Sequence, residues 1–183
     1  MGISFSEPER LKEIFDGENR EEWQKTSHIL QTLALKPSDM IADVGAGTGY
    51  FSNLFSSQVG SGKVFAIDCE ANMVSYMRER FSEPKYANVE VHESYKDDPC
   101  IPSEANIVFL ANTYRFITGR VDFLAKAKQQ VVKGTRFVIV DFKGSNARVS
   151  PQQVIVEVEQ AGFRTVDFDD TGCPDHYILT FTN

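Results

Sequence analysis

The feature that most constrains the fold is a regular alternation of short apolar runs with amphipathic stretches between residues 40 and 182. The apolar runs are typical of buried β-strands, and the stretches between them repeat apolar residues at helical spacing. Strands that alternate with helices predict an α/β fold with a largely parallel sheet covered on both faces. The predicted strands are residues 40–44, 63–68, 89–93, 106–111, 136–142, 163–168 and 176–181. The predicted helices among them are residues 50–59, 71–81, 121–132 and one that starts at Pro151.

The last two predicted strands are joined only by residues 169–175, a polar segment that contains Gly172 and Pro174. A connection of this length cannot hold a crossover helix, so the two strands should run antiparallel. The sequence therefore predicts a mostly parallel sheet that is closed by an antiparallel hairpin strand.

The N-terminal stretch has a different character. Residues 6–35 carry apolar positions at helical spacing, with an interruption at Gly17, and the pattern stops at residues 36–39. A length of 183 residues suits one domain. We therefore expect a single domain over residues 1–183, in which residues 1–38 form a helical cap and residues 39–183 form the α/β core.

Charge and cysteine content exclude several classes of protein. The formal net charge of −7 argues against a dedicated nucleic-acid binder, whose footprint is normally basic. Three cysteines without a CxxC pair fit a reduced cytoplasmic protein and argue against a disulfide scaffold or a cysteine-rich zinc site. The three histidines are scattered, so no metal site is expected. No run approaches the ~18 apolar residues of a membrane span, and the polar N-terminus is unlike a signal peptide.

The first predicted strand runs into a glycine-rich turn, Gly45-Ala46-Gly47-Thr48-Gly49. In open α/β sheets ligands bind beyond the carboxyl ends of the strands, and glycines let the backbone approach a ligand closely. The next strand ends in Asp68, 23 residues after Gly45. A carboxylate there can accept hydrogen bonds from both hydroxyls of a ribose. Together, the turn and the acid predict an adenosine-containing ligand.

The spacing of the glycines distinguishes among such ligands. The dinucleotide fingerprint is GxGxxG, whereas here Tyr50 stands where the third glycine would be. The GxxxxGK[ST] string of the P-loop does not occur. A nicotinamide-dependent oxidoreductase is therefore kept as an alternative, and a P-loop enzyme is not.

Residues 41–52, Ile-Ala-Asp-Val-Gly-Ala-Gly-Thr-Gly-Tyr-Phe-Ser, resemble the first motif of class I S-adenosylmethionine-dependent methyltransferases. The resemblance covers residues 22–182 and implies S-adenosylmethionine as the cofactor. It also implies a Rossmann-like three-layer sandwich with a seven-stranded, mostly parallel sheet. The implied strand order is 3-2-1-4-5-7-6, with an antiparallel last strand.

The resemblance also implies roles for individual residues. Asp43 would help to hold the amino group of the cofactor through water, and the glycine turn would pass along its methionine part. Asp68 would bind the ribose, and Cys69 or Met73 would border the adenine. The implied cofactor-binding set is Asp43, Gly45, Ala46, Gly47, Gly49, Asp68, Cys69, Met73, Ser94, Tyr95 and Asn112.

Asn112 and Tyr114 follow the fourth strand, where the resemblance places groups that face the reacting methyl, so both are candidate catalytic residues. Asn112-Thr113-Tyr114 is similar to the Asn-Pro-Pro-Tyr signature of amino-group methylation, but both prolines are missing. Pro99-Cys100 resembles the nucleophile of cytosine C5 enzymes, but it precedes the fourth strand instead of following it. The candidate general bases are Tyr114, Asp141 and His92.

Three short strings are similar to those of small bacterial ubiquinone/menaquinone-type and arsenite-type methyltransferases. They are Trp23-Gln24-Lys25, Asp97-Asp98-Pro99 and Val140-Asp141-Phe142-Lys143. Relatives in that subgroup commonly carry a His-His pair after the fourth strand, whereas this chain has Tyr114-Arg115-Phe116 there.

One segment has an unexpected charge. Residues 115–148 contain eight Lys and Arg but only two Asp. Solvated helix faces account for such a segment, but Arg115, Lys143 and Arg148 follow the carboxyl ends of strands, where they would attract an anionic acceptor. The predicted function is methyl transfer from S-adenosylmethionine to a small-molecule acceptor, and the basic segment favours an anionic one. The alternative from another class is a module that binds the cofactor without catalysis.

Overall fold

The computed structural model describes residues 8–17 and 19–183. Its strands are β1 (Met40–Val44), β2 (Lys63–Asp68), β3 (Val89–Glu93), β4 (Ile107–Ala111), β5 (Arg136–Phe142), β6 (Arg164–Asp169) and β7 (His176–Thr182). Its α-helices are α1 (Pro8–Phe15), α2 (Arg20–Gln24), α3 (Thr26–Leu33), α4 (Tyr50–Gln58), α5 (Ala71–Arg80), α6 (Arg120–Gln130) and α7 (Pro151–Gln160). The predicted helical stretch starts at residue 6, and its first two residues lie outside the described ranges.

The seven strands form one sheet in the order β3-β2-β1-β4-β5-β7-β6. The first five strands pair in parallel, and β7 lies antiparallel between β5 and β6. The predicted strand order and the antiparallel last strand are therefore confirmed. The direction in which successive strands are added to the sheet reverses at β1, so β2 lies on one side of β1 and β4 lies on the other. A crevice opens at the carboxyl ends of the strands at such a point.

The strands bury alternate residues on the two faces of the sheet, as the two-residue period of a strand requires. Ile41 and Phe109 pack against Leu33 of α3 and Phe55 of α4. On the other face, residues such as Ala42 and Phe137 pack against α6 and α7 through Phe123, Leu124, Val154 and Val158. The outer strands β3 and β6 are more exposed, whereas β1, β2, β4 and β5 are almost wholly buried. The near-continuous apolar sequence of the central strands follows from burial on both faces.

The start of α7 shows how local sequence fixes an element. The Ser150 hydroxyl accepts a hydrogen bond from the backbone N–H of Gln153 at 3.2 Å, and Pro151 occupies the first helical position. A serine cap satisfies one of the free N–H groups of the first turn, and proline has no N–H to leave unpaired there.

The chain around α1 and α2 lies against the carboxyl ends of the strands. Asp16, just after α1, accepts hydrogen bonds from Arg80 at 2.6 Å and from the Thr48 hydroxyl at 3.0 Å. Trp23 of α2 stacks on Phe142 at the end of β5, with ring centroids 6.5 Å apart. Across the described ranges, no helix combines the length and the apolarity needed to cross a membrane.

The turn after β1 depends on glycine at position 45. Gly45 has a φ of +74°, and a Cβ at this position would lie 2.3 Å from the Thr113 side chain. A side chain here would meet both backbone strain and a steric clash, because Thr113 belongs to the segment that follows β4.

We predict that Gly45→Ala lowers the free energy of unfolding by about 2–4 kcal/mol, the sum of left-handed strain and overpacking. Gly134→Ala is the matched control, because Gly134 has a φ of +89° but nothing within 4 Å of an added Cβ. It should cost only the strain, about 1–2 kcal/mol. Urea denaturation of both variants measures the difference, and an equal loss would show that Thr113 moves aside without cost.

Candidate functional site

A cavity of about 370 Å³ opens at the carboxyl ends of β1, β2 and β4. Its volume lies in the range of about 300–1,000 Å³ that is usual for small-molecule sites. The lining comes from the glycine turn, the end of β2, the start of α5, the segment after β4 and α2. The lining residues are Arg20, Asp43, Gly45, Ala46, Gly47, Thr48, Tyr50, Phe51, Asp68, Cys69, Glu70, Met73, Lys96, Ala111, Asn112, Thr113, Phe116, Ile117 and Thr118.

The glycine turn is fastened to β2 by its own backbone. The N–H groups of Gly45 and Ala46 both donate to the carbonyl oxygen of Ile67, at 2.8 and 3.0 Å. Gly45 and Gly47 both have positive φ, +74° and +60°. The turn therefore presents backbone, without side chains at these two positions, to the cavity.

Asp68 ends β2 and is held from both sides. Its Oδ2 accepts from the N–H of Gly47 at 2.8 Å, and its Oδ1 accepts from the N–H of Glu70 at 2.9 Å. Burial raises the pKa of this carboxyl, and the two backbone donors oppose the shift. A carboxylate oxygen has two lone pairs, so each oxygen can accept one more hydrogen bond from a ligand hydroxyl.

Asp43 ends β1 and is only 2% exposed. Its Oδ2 accepts a hydrogen bond from the Ser52 hydroxyl at 2.6 Å. Burial raises the pKa of Asp43 to about 7, and the Ser52 hydrogen bond and the charge of Arg20 oppose that shift. A carboxyl in this position can change its charge near neutral pH, which is typical of functional sites.

Because the folded-state pKa of Asp43 exceeds the ordinary value of about 3.9, the folded protein keeps a proton that the unfolded chain releases. Asp43 therefore contributes stability below about pH 4, and this contribution is lost as the pH rises toward 7. We predict that Asp43→Asn becomes progressively more stable than the parent between pH 4 and pH 8, by on the order of 4 kcal/mol. Urea denaturation at each pH measures the free energy of unfolding of both proteins. Contributions from other titrating groups are common to both and cancel in the difference. A difference that does not change with pH would contradict the prediction.

The structure adds Arg20 to the site, which sequence reasoning missed. Its guanidinium carbon lies 3.9 Å from the ring centroid of Tyr50, and the side chain is buried. Burial lowers the pKa of Arg20 to about 10, while Tyr50, Asp16 and Asp43 raise it. Arg20 thus stays cationic at neutral pH, close to the Asp43 carboxyl. In sequence, Arg20 stands in a polar helical run and looks like a solvent-exposed arginine, so only tertiary packing reveals it.

Asn112 follows β4 and has a φ of +57°, a conformation that asparagine tolerates better than most residues. Its side-chain Oδ1 lies 2.9 Å from His176 Nε2 and 3.3 Å from Arg115 Nη1. Burial lowers the pKa of His176 to about 3, helped by the nearby cations Arg115, Arg20 and Lys143. His176 is therefore neutral at physiological pH.

The structure brings most of the predicted site together and separates four residues from it. Eight of the residues predicted from sequence line the cavity: Asp43, Gly45, Ala46, Gly47, Asp68, Cys69, Met73 and Asn112. Gly49 does not line it. It has a φ of +81° at the start of α4, where a Cβ would lie 2.7 Å from Phe81, so its role is in the turn itself.

Ser94 and Tyr95, predicted to belong to the cofactor-binding set, do not line the cavity. The backbone N–H of Ser94 donates to the carbonyl oxygen of Asp68 at 3.0 Å, and the Tyr95 side chain is 70% exposed. The loop after β3 reaches the cavity through Lys96 instead.

Tyr114, predicted to face the reacting methyl, also lies away from the cavity. It is fully buried, and its hydroxyl donates to Glu157 of α7 at 2.8 Å. Burial and this contact raise its pKa far above the ordinary range. The position of Tyr114 therefore does not support a catalytic role, because the chain after β4 turns its ring into the core.

The other two candidate bases are also outside the cavity lining. Asp141 is buried and accepts a hydrogen bond from Arg115 at 2.6 Å. His92 lies on β3, edge-on to Phe65, with ring centroids 5.7 Å apart. In the described part of the chain, no group of three or more His, Cys, Asp or Glu residues is arranged to hold a metal ion.

Two of the three cations that were expected to attract an anionic acceptor are engaged elsewhere, and the third, Arg148, lies over the Phe116 ring at 4.6 Å. Arg115 pairs with Asp141, and Lys143 donates to the backbone carbonyls of Asp170 and Cys173. Neither residue lines the cavity. The positions of Arg115 and Lys143 do not support the predicted role, because both side chains are already bound to partners within the chain.

The comparisons with known proteins agree with this geometry. The methyltransferase domain family matches residues 35–179. This chain belongs to that family. The structure is similar to the crystal structure of a SAM-dependent methyltransferase from Aquifex aeolicus, with a TM-score of 0.82 and 26% sequence identity. That match covers 96% of this chain and 97% of the other. A search of curated proteins gives no significant match.

Two further structures share the fold. One is a methyltransferase in complex with the Haloferax volcanii Trm112 methyltransferase activator, with a TM-score of 0.79, 14% identity and coverage of 100% of this chain and 98% of that one. The other is the glycopeptide N-methyltransferase MtfA complexed with S-adenosylmethionine, with a TM-score of 0.73, 12% identity and 86% coverage of each chain. The predicted methyltransferase family is confirmed, and the matches support S-adenosylmethionine as the cofactor.

Proposed function

We propose that the protein transfers a methyl group from S-adenosylmethionine to a small-molecule acceptor. One observation carries the proposal: a single cavity joins the buried Asp68 at the end of β2 to the Asp43 carboxyl at the end of β1 and to the guanidinium of Arg20 from α2. Asp68 suits the two hydroxyls of a ribose, and Asp43 with Arg20 suits the ammonium and carboxylate of an amino acid. S-adenosylmethionine carries both kinds of group.

The residues of the cavity divide naturally along such a ligand. Asp68 would hold the ribose, with Cys69 and Met73 beside the adenine. Gly45 and Gly47 would lie along the methionine part, because neither residue carries a side chain that would keep the ligand away from the backbone. Asp43 and Arg20 would hold its charged end.

When bound, S-adenosylmethionine supplies a methyl group on a cationic sulfur, which an acceptor lone pair can take by in-line displacement. The chain has then mainly to align the reactants and to exclude water. Phe51, Phe116 and Ile117 supply apolar walls for this purpose. The cavity measures about 370 Å³, which is the scale of a small-molecule site.

The N-terminal helices complete the site in this proposal. Arg20 of α2 lines the cavity, and Thr26 of α3 lies 3.1 Å from the Tyr50 hydroxyl. We therefore propose that residues 1–38 act as a cap on the core over residues 39–183. The sequence strings noted above support a place near the ubiquinone/menaquinone-type and arsenite-type methyltransferases. Arg115 and Lys143 are engaged within the chain, so the proposal gives neither of them a contact with the acceptor.

We expect the chain to bind S-adenosylmethionine more tightly than NADH, which isothermal titration calorimetry measures directly. Asp68→Ala should weaken this binding by about 1.5–3 kcal/mol, the contribution of a hydrogen bond to a charged group. Asp97→Ala is the control, because Asp97 is exposed and outside the cavity lining. Tighter binding of NADH would favour the oxidoreductase. Binding of S-adenosylmethionine without transfer of labelled methyl to any compound in a broad acceptor panel would favour a non-catalytic module.

A second prediction tests the charged end of the cavity. Arg20→Met should weaken binding of S-adenosylhomocysteine by roughly tenfold, since a hydrogen bond to a charged group is lost. Binding of 5′-methylthioadenosine, which lacks the amino-acid end, should be unchanged. Arg20→Lys should retain part of the affinity. Equal weakening for both ligands would instead mean that Arg20 acts on the cavity through Tyr50.

A further inference from the structure

The segment after β4 contains a side-chain amide whose orientation is fixed by its neighbours. Asn112 Oδ1 is contacted by Arg115 Nη1 at 3.3 Å and by His176 Nε2 at 2.9 Å. A guanidinium can only donate hydrogen bonds, so the atom that it contacts must be the amide oxygen. The same oxygen can only accept, so with the amide in this orientation His176 Nε2 donates to it, and the buried Nδ1 has no partner among the described residues. The backbone of Trp23 is the competing acceptor for the single proton of the ring.

The two donors are themselves held in place. Arg115 Nη1 lies 2.6 Å from Oδ1 of the buried Asp141, and its guanidinium lies over the Phe142 ring. His176 is buried between Phe142 and Trp23, with ring centroids 4.1 and 5.6 Å away. Burial keeps the pKa of His176 at about 3, so the ring is neutral and carries one N–H only. The donor arrangement is therefore the same throughout the physiological pH range.

The remaining hydrogen-bonding group of the side chain is the NH2 of Asn112. None of the described residues accepts a hydrogen bond from it, and Asn112 lines the cavity beside Phe116 and Ile117. A hydrogen bond made beside such apolar walls is stronger than one made in water. An amide that faces an N–H of a ligand instead leaves two donors unpaired, which is costly in a partly dry site.

We propose that Asn112 is a hydrogen-bond donor to the methyl acceptor and selects acceptors that present an oxygen lone pair to it, such as a carbonyl, carboxylate or phenolate oxygen. Acceptors that present N–H groups are disfavoured. His176 and Arg115 are positioning residues, which keep the amide from turning over. This inference rests on the proposed function, and it runs against the amino-group methylation that the Asn112-Thr113-Tyr114 string suggested.

The orientation of the amide can be measured without any acceptor. In the ¹⁵N-labelled full-length protein with S-adenosylhomocysteine bound, a long-range ¹H–¹⁵N spectrum reports which nitrogen of His176 is protonated. We expect a proton on Nε2 and none on Nδ1. A proton on Nδ1 alone would mean that Nε2 accepts from the amide NH2, which overturns the proposal.

Selectivity is then tested on the same loaded protein with three matched probes: phenol, benzoate and aniline. The wild type should bind phenol and benzoate at least about tenfold more tightly than aniline, the scale of one unpaired donor. Asn112→Asp, which replaces the NH2 by a second oxygen, should reverse the preference between benzoate, which can only accept, and aniline. Phenol is not informative for this variant, because its hydroxyl can donate to the carboxylate. Asn112→Gly removes the amide without backbone strain at a φ of +57° and should abolish the preference.

Positioning by His176 is tested by two further variants. His176→Phe keeps an aromatic ring but removes the donor, so the preference for phenol over aniline should shrink. His176→Gln can donate again and should restore it, which a merely structural role would not explain. Retained binding of S-adenosylhomocysteine shows that each variant is folded.

The possible outcomes separate this inference from the proposed function. A wild type that does not bind S-adenosylhomocysteine contradicts the proposed function. Three results contradict only the role of Asn112: a loaded wild type that prefers aniline, a loaded wild type that binds neither oxygen probe, and a preference for benzoate over aniline that survives in Asn112→Asp.

Discussion

The site depends on the bonds that tie the glycine turn to the end of β2. Gly45 and Ala46 donate to the Ile67 carbonyl, and Gly47 donates to the Asp68 carboxylate. These hydrogen bonds hold the turn against the end of β2. The backbone of the glycine turn and the Asp68 carboxyl therefore already line the same cavity before a ligand binds. Groups that are already in position lose less freedom on binding, which favours affinity and alignment.

The same edge of the sheet concentrates buried charge. Asp43, Asp68 and Arg20 are all nearly inaccessible to water. Burial raises the pKa of the two carboxyls and lowers the pKa of Arg20, which in each case favours the neutral form. Burying charge costs free energy, and a fold that needed only stability would be better served by apolar side chains. In the proposed function, the ribose and the amino-acid end of the cofactor provide the partners that offset this cost. The arrangement is thus explained by binding rather than by stability.

The N-terminal helices connect the two ends of the cavity. Asp16 holds the glycine turn through Thr48, whereas Trp23 packs against His176, which holds Asn112. One short stretch of chain therefore touches both the proposed cofactor side and the proposed acceptor side. This gives the proposed cap a role in shaping the acceptor pocket.

The sequence by itself determined the strands, their order through a family resemblance, and the turn with Asp68, because these depend on local period, glycine conformation and spacing along the chain. The positions of Arg20, Tyr114 and Asn112 were decided only by tertiary structure. Arg20 reaches the cavity because α2 docks on Tyr50, and Tyr114 leaves it because its hydroxyl pairs with a helix 43 residues away. The amide of Asn112 is contacted by Arg115 of its own segment and by His176, which is 64 residues away. Such contacts leave no periodic signal, since they depend on which surfaces meet after the strands have assembled.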